Sequence, residues 1–219
     1  MLVHLRRDRA ARRVGPRDAG LFHTAFLLPE RGDLGAWLHH AAANDISLEG
    51  ASDHLVSEAV YLSDPEGNGI EIYRDRPRAQ WPRQNGLIAM TTDPIDLQDV
   101  ANSARAPWRG APQGTMIGHV HLKVGALDAA NAFYHELLGA PLMAQYPGAN
   151  FYGWDGYHHH LATNIWHSRG APAHTDAVTG LAEVGLAGPP EALADLRAHA
   201  GDAPVDPWGL RFNLSENPA

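Results

Sequence analysis

The sequence predicts an α+β fold assembled from repeated βαβββ modules, and three observations carry that expectation. Short apolar or alternating runs, read as strands, flank segments whose apolar residues recur at helical spacing. The same order of elements returns along the chain. An Asp-Pro-x-Gly turn precedes a final strand twice, at Asp64 and again at Asp206.

Taken in order, Gly20–Pro29 (GLFHTAFLLP) is an apolar run with aromatic residues, closed by proline, and reads as a buried strand. From Asp33 to Asn44 the residues Leu34, Trp37, Leu38 and Ala41 fall on one face of an amphipathic helix, with His39 and His40 on or near its surface. Leu55–Leu62 is a strand, Asp64–Gly69 a dense cluster of turn formers, and Ile70–Tyr73 an alternating strand. The second pass begins at Ile117–Val124, where His119, His121 and Lys123 alternate with Val120, Leu122 and Val124. Asp128 is placed to cap a helix carrying Ala130, Phe133, Tyr134 and Leu137, with Gly139 as its stop. Strands are expected at Asn150–Trp154 and Tyr157–Ile165. A third pass runs from the strand at Gly180 (GLAEVGLAG) through the helix Pro190–Ala200 to the strand Leu210–Leu214. The passes divide the chain into a first domain over 1–75, a linker over 76–115 with one strand near Ile88–Thr91, and a second domain over 116–219.

Composition narrows the function classes. Hydrophobic residues at 44% and charged residues at 19% describe a globular chain, and a net charge of −8 gives no general attraction to nucleic acid. No apolar stretch approaches the ~20 residues that span a bilayer. The Arg-rich start, Met1–Arg17, lacks the apolar region of a secretory signal. A cytoplasmic protein with neither nucleic-acid nor membrane partners is expected. With no cysteine and 14 histidines, His and carboxylates are the strong metal ligands available.

A repeated module with His on a first strand and Glu on a last strand resembles the vicinal-oxygen-chelate superfamily, which includes glyoxalase I, extradiol dioxygenases and bleomycin-resistance proteins. Four stretches are more specifically similar to the catechol-2,3-dioxygenase group: GLFHTAFLLP from Gly20, GASDHLVSEAVYLSDPEGNGIEIY from Gly50, GHVHLKV from Gly118 and YHHHLATNIW from Tyr157. The resemblance implies cupped mixed sheets with helices outside. It also implies a divalent metal, Fe(II) or alternatively Mn(II), held by two His and one Glu. His23 and Glu71 match the first-strand His and last-strand Glu of one module, and His54 and Tyr61 fall where the family places a substrate-facing His and Tyr. Two imidazoles and one carboxylate leave three adjacent positions open on such an ion, enough for two catecholate oxygens and dioxygen. A nearby His can move protons, and a phenol can orient a ring oxygen.

The chain departs from this pattern at its start, where Met1–Arg7 represents at most the last strand of a preceding module. The last module is short, with Glu183 and Asn213 at its ligand-like positions. Three arrangements follow: an incomplete two-ligand site, a composite site in which His119 joins His23 and Glu71, or a site completed by a second copy in a homo-oligomer. Taken alone, His23 in an apolar strand would more often be a hydrogen-bonded core histidine; Glu71, a charge in another apolar strand, favours the ligand reading. The run His158-His159-His160 is read as pocket-lining or structural, because neighbours on a strand point to opposite faces. The function expected is an extradiol ring-cleaving dioxygenase with a small aromatic substrate and dioxygen as partners. A non-catalytic small-molecule-binding protein and a glyoxalase-like lyase or isomerase are the alternatives.

Overall fold

The computed structural model describes residues 2–216 and divides into two compact units. The first contains Phe22–Val120, with residues 2–4; the second contains Leu5–Leu21 and the chain from His121 onward. The fold is α+β. Among the described residues no helix is long and apolar enough to cross a membrane.

In the first unit, strand β1 (Gly20–Leu27) leads into helix α1 (Arg31–Ala43), then β2 (Gly50–Asp53), β3 (Ser57–Ser63) and β4 (Gly69–Asp75). Helix α1 begins earlier than its apolar spacing suggests. The Asp33 carboxylate accepts from the Glu30 backbone N–H at 3.0 Å, closing a capping box one turn ahead of Leu34. Strand β2 (GASD) is absent from the sequence expectation because it has no large apolar residue to reveal an alternation. Its pairing with β3 supplies the order instead.

The turn from β3 to β4 is built by Asp64, whose Oδ1 accepts from the backbone of Glu66 and of Asn68, each at 2.8 Å. Strand β4 runs antiparallel to β3 and parallel to β1, giving the order β2-β3-β4-β1, with β7 (Met116–Lys123) next to β1. One face of these strands packs Leu28, Val60 and Ile72 against Leu34, Trp37, Leu38 and Ala41 of α1. Each large apolar side chain there contributes roughly 1.5–3 kcal/mol. The opposite face carries Ala25, Ala59 and Tyr73, with Leu27 and Tyr61 beside them. That second face is where the candidate site lies.

The segment 76–115 holds a 3-10 turn at Arg78–Gln80, a short hairpin of β5 (Arg83–Gln84) and β6 (Leu87–Ile88), and helix α2 (Leu97–Asn102). Val100 of α2 joins the core under α1. The helices approach closely at Gly35, where a Cβ would lie 2.5 Å from the Val100 carbonyl oxygen.

In the second unit, the C-terminal part of β7 is followed by helix α3 (Leu127–Asn131), which continues as a π-helical turn over Ala132–Leu137. Two expectations are corrected here. Asp128 does not cap α3: Ala126 is the N-cap and Asp128 sits in the first turn. Leu137 leaves the buried face and is 39% exposed, because the wider winding, seen in the Leu138 N–H to Phe133 carbonyl bond, rotates it outward.

Strands β8 (Leu142–Tyr146), β9 (Ala149–Tyr152) and β10 (Leu161–Asn164) follow in the order β10-β9-β8 from β7. The strand expected from Tyr157 starts only at Leu161. Asp155 and Gly156 adopt positive φ, 50° and 67°, and the resulting turn delays extended backbone until after His160. The final pass gives β11 (Glu183–Gly188), α4 (Pro190–Ala200) and β12 (Arg211–Glu216), with β11 and β12 a parallel pair. Asp206 repeats the Asp64 turn, accepting from the backbone of Trp208 and Leu210 at 2.9 and 2.8 Å. Residues 2–7 are exposed and form no strand, so the last strand of a preceding module expected there is absent; Met1 lies outside the described residues.

Candidate metal centre

The candidate site is assembled by strand register within the first unit. Alternation along β1 places His23 and Ala25 on the face away from α1. Parallel pairing sets His23 opposite Gly69 and Ala25 opposite Glu71 on β4. Gly69 is required at that point, because a Cβ there would overlap the Phe22 carbonyl oxygen and approach the His23 Cβ to 3.0 Å. His119 comes from β7. Its neighbour Gly118 leaves room for the phenol of the fully buried Tyr73, whose ring lies 5.0 Å from that of His119.

Three side chains converge. His23 Nε2 lies 3.0 Å from Glu71 Oε2, His119 Nε2 lies 3.1 Å from the same oxygen, and the two Nε2 atoms are 3.3 Å apart. All three residues are buried, at 7%, 2% and 4% exposure. Among the described residues this is the one group of three or more His, Asp or Glu side chains so gathered. Ligands at about 2.1 Å from an ion and at right angles to one another lie about 3.0 Å apart, so the spacing fits one face of a metal's coordination shell. Two imidazoles and a carboxylate are also the right donors for a borderline divalent ion. Burial pushes the Glu71 carboxyl up, but the adjacent His119 and His23 imidazoles outweigh it and hold the group well below the ordinary carboxylate range. A buried, ionised carboxylate beside two ring nitrogens is a site that can hold a cation.

His54 and Tyr61 form the second part of the site. Cross-strand register sets Tyr61 on β3 opposite Glu71 on β4, and the Tyr61 ring lies 5.7 Å from that of His23. His54 Nε2 is 2.5 Å from the Tyr61 hydroxyl, and its Nδ1 is 2.6 Å from the Thr91 carbonyl oxygen. A carbonyl only accepts, so Nδ1 carries a proton, and Nε2 shares a hydrogen bond with the Tyr61 hydroxyl. Burial, reinforced by the Glu71 carboxylate, pushes the Tyr61 phenol well above its usual value, so it stays protonated.

All five residues singled out from the sequence, His23, His54, Tyr61, Glu71 and His119, thus lie in the first unit. His119 stands beside His23 and Glu71, the juxtaposition that a composite site requires. Glu183 and Asn213 do not form a ligand pair: both are exposed, and they face Arg211 and Gly185 respectively across the β11–β12 ladder. His158, His159 and His160 lie in the irregular stretch before β10, not on a strand. His158 Nδ1 contacts His159 Nδ1 at 2.8 Å, and His160 Nδ1 accepts from the Trp154 backbone at 3.2 Å. Sequence reasoning missed Thr91, Tyr73 and Gly118. Thr91 acts through a carbonyl, which no residue pattern encodes, whereas the glycine before the HVHL run was a legible sign of close packing.

No protein-family model matches the chain. The catechol-2,3-dioxygenase of Bacillus subtilis (strain 168) is 43% identical over 190 residues, an alignment covering 83% of this chain and 66% of that protein. The chain therefore spans just under two thirds of that relative's length. A crystal structure of a provisionally named dioxygenase from Bacillus subtilis subsp. subtilis str. 168 superposes with a TM-score of 0.56 over 93% of this chain and 65% of that one. At 11% identity this likeness bears on the fold alone. The module order, the shared fold and the identity over most of its length together place the chain in the vicinal-oxygen-chelate superfamily.

Proposed function

We propose that the chain is an extradiol ring-cleaving dioxygenase for catechol-type aromatics, with His23, Glu71 and His119 holding a divalent ion, Fe(II) or alternatively Mn(II). The observation that carries this reading is the convergence of two imidazole Nε2 atoms and one carboxylate oxygen at 3.0–3.3 Å, with a His–Tyr pair on the same face. A single carboxylate in the cluster favours a dioxygenase over a glyoxalase-like enzyme, which would use more carboxylate ligands. The name of the Bacillus subtilis relative agrees with it.

When bound, the metal would lower the pKa of the catechol hydroxyls and bring ring and dioxygen together. The protein's own groups supply the rest. The Tyr61 hydroxyl, between His54 Nε2 and the Glu71 carboxylate, stands where a substrate hydroxyl can hydrogen-bond to it. The His54–Tyr61 pair lies in position to receive a proton that leaves such a hydroxyl. Tyr73, fully buried, packs its ring 5.0 Å from that of His119 and walls the site there.

The test is anaerobic reconstitution of the purified protein with Fe(II), then with Mn(II), followed by catechol and air. Metal uptake with formation of a yellow semialdehyde product is expected. Metal uptake with turnover only of thiol adducts of oxoaldehydes would give the site to a glyoxalase-like reaction. Neither uptake nor product would leave a small-molecule-binding protein.

A further inference from the structure

Asp53 ends strand β2, immediately before His54, and its side chain is 25% exposed. Its backbone N–H donates to the Asp93 carbonyl at 2.9 Å and its carbonyl accepts from the Asp93 N–H at 3.0 Å. This isolated bridge ties the segment carrying Thr91 to the end of β2. Its carboxylate Oδ1 accepts from the Leu55 N–H at 2.9 Å, while Oδ2 is held by the Arg76 guanidinium at 2.5 Å.

Leu55 sits at φ 68°, a left-handed conformation that strains a branched aliphatic residue. The Asp53 side chain bonds the N–H of that strained residue, and the His54 N–H donates to the Ser57 carbonyl at 2.9 Å. His54 is therefore gripped on both sides. One grip, from the Asp53 carboxylate, sets the turn that aims its ring, and the other, from the Asp53 backbone, ties down the segment whose Thr91 carbonyl accepts its Nδ1 proton. Both pass through Asp53.

We propose that Asp53, braced by Arg76, is a positioning residue for His54: its carboxylate fixes the strained turn that holds the imidazole with Nδ1 on the Thr91 carbonyl and Nε2 against the Tyr61 hydroxyl. This rests on the catalytic reading of His54 given above. Asp53 does not touch the metal-ligand cluster or Tyr61, so its role differs from that of a ligand or a proton carrier. The carboxylate acts through geometry. Asparagine retains an oxygen that can accept from Leu55 N–H but loses the ion pair with Arg76, whereas alanine loses both.

The test uses the full chain, 15N-labelled and loaded with diamagnetic Zn2+, in the unsubstituted form and as Asp53→Ala and Asp53→Asn. Histidine ring nitrogen shifts report which nitrogen of His54 bears the proton. A single Nδ1–H tautomer is expected in the unsubstituted protein, a mixture of tautomers in Asp53→Ala, and substantial recovery in Asp53→Asn. With Fe(II) and catechol, kcat should fall roughly 10- to 100-fold in Asp53→Ala, with KM and metal content little changed. If Asp53→Ala keeps one Nδ1–H tautomer, or if Asp53→Asn is as scrambled as Asp53→Ala, the proposal is overturned. If the unsubstituted protein has no turnover, the catalytic reading fails, and the tautomer measurement alone decides whether Asp53 positions His54. Should Asp53→Ala not fold, the contrast between Asp53→Asn and the unsubstituted protein decides: an unaltered tautomer supports retention of the Leu55 grip, and a scrambled one overturns it.

Discussion

Two histidine-bearing regions of this molecule differ in an instructive way. His158, His159 and His160 are consecutive and largely buried; their rings pack against Phe151, Trp154 and Tyr157, His158 Nδ1 meets His159 Nδ1, and His160 Nδ1 accepts from the Trp154 backbone. His23 and His119 are 96 positions apart, yet their Nε2 atoms lie 3.3 Å from each other and each within 3.1 Å of one Glu71 oxygen. Adjacency along the chain points side chains apart or spends them on local bonds. Parallel pairing of a first strand with a last strand sends chosen side chains to one spot on one face.

The largest effect should come from removing the shared oxygen. Glu71→Ala is expected to weaken divalent-metal binding by more than about 100-fold, well beyond the loss of a supporting contact, while far-ultraviolet circular dichroism stays unchanged. Metal content after dialysis, measured by mass spectrometry, checks it; full retention of metal would break the comparison on its stronger side.

Next in size is the ion network that braces the strands behind the site. Glu58 on β3 is 3% exposed and contacts Arg31 at 2.8 Å, Arg74 at 2.6 Å and Arg76 at 3.4 Å. Breaking such a buried set by Glu58→Gln should cost about 3 kcal/mol in urea unfolding. Burial pushes the Glu58 carboxyl up, but Arg31 and Arg74 outweigh it and hold the group below its ordinary value. Its folded pKa thus lies below its unfolded one. The stabilisation is complete above the unfolded carboxylate range and disappears as pH falls through the folded value. Stability measured against pH should lose part of its acid slope in Glu58→Gln; an unchanged slope would assign the acid sensitivity elsewhere.

A smaller change tests the packing behind His119. Gly118→Ala places a methyl group on the Tyr73 phenol, and forced repacking of this kind costs roughly 1–3 kcal/mol. Thermal unfolding should report that loss, and metal affinity should drop with it because His119 follows Gly118 along β7. Normal stability in this variant would show that Tyr73 can move aside freely. The smallest effect belongs to the triplet: His160→Asn should leave metal stoichiometry unchanged, and a loss of bound metal would erase the contrast with the dispersed cluster.

Much of this was legible from residues alone, for reasons particular to each element. The apolar run at β1, the periodic face of α1 and the Asp64 turn each declare themselves through side-chain chemistry. So do the placements of His23, Glu71, His54 and Tyr61, which rest on long stretches similar to a known family. Strand β2 did not, because Gly-Ala-Ser-Asp has no apolar side to display. The start of β10 was misplaced because Asp155 takes a positive φ that its residue type permits but does not announce. That His119 and not His121 would join the cluster was named among three open arrangements, but residues alone could not choose between those arrangements. His119 and His121 share the alternation of β7, and only pairing with other strands assigns one of them to Glu71. His121 instead contacts the Asn164 side chain at 3.0 Å.

The most direct test is crystallography of the Fe(II)-loaded chain with anomalous scattering collected at the iron edge. One peak is expected per chain, bonded to His23 Nε2, His119 Nε2 and a Glu71 carboxylate oxygen at about 2.1 Å each. A peak among His158, His159 and His160, or crystals of iron-soaked protein with no peak at Glu71, would contradict the account.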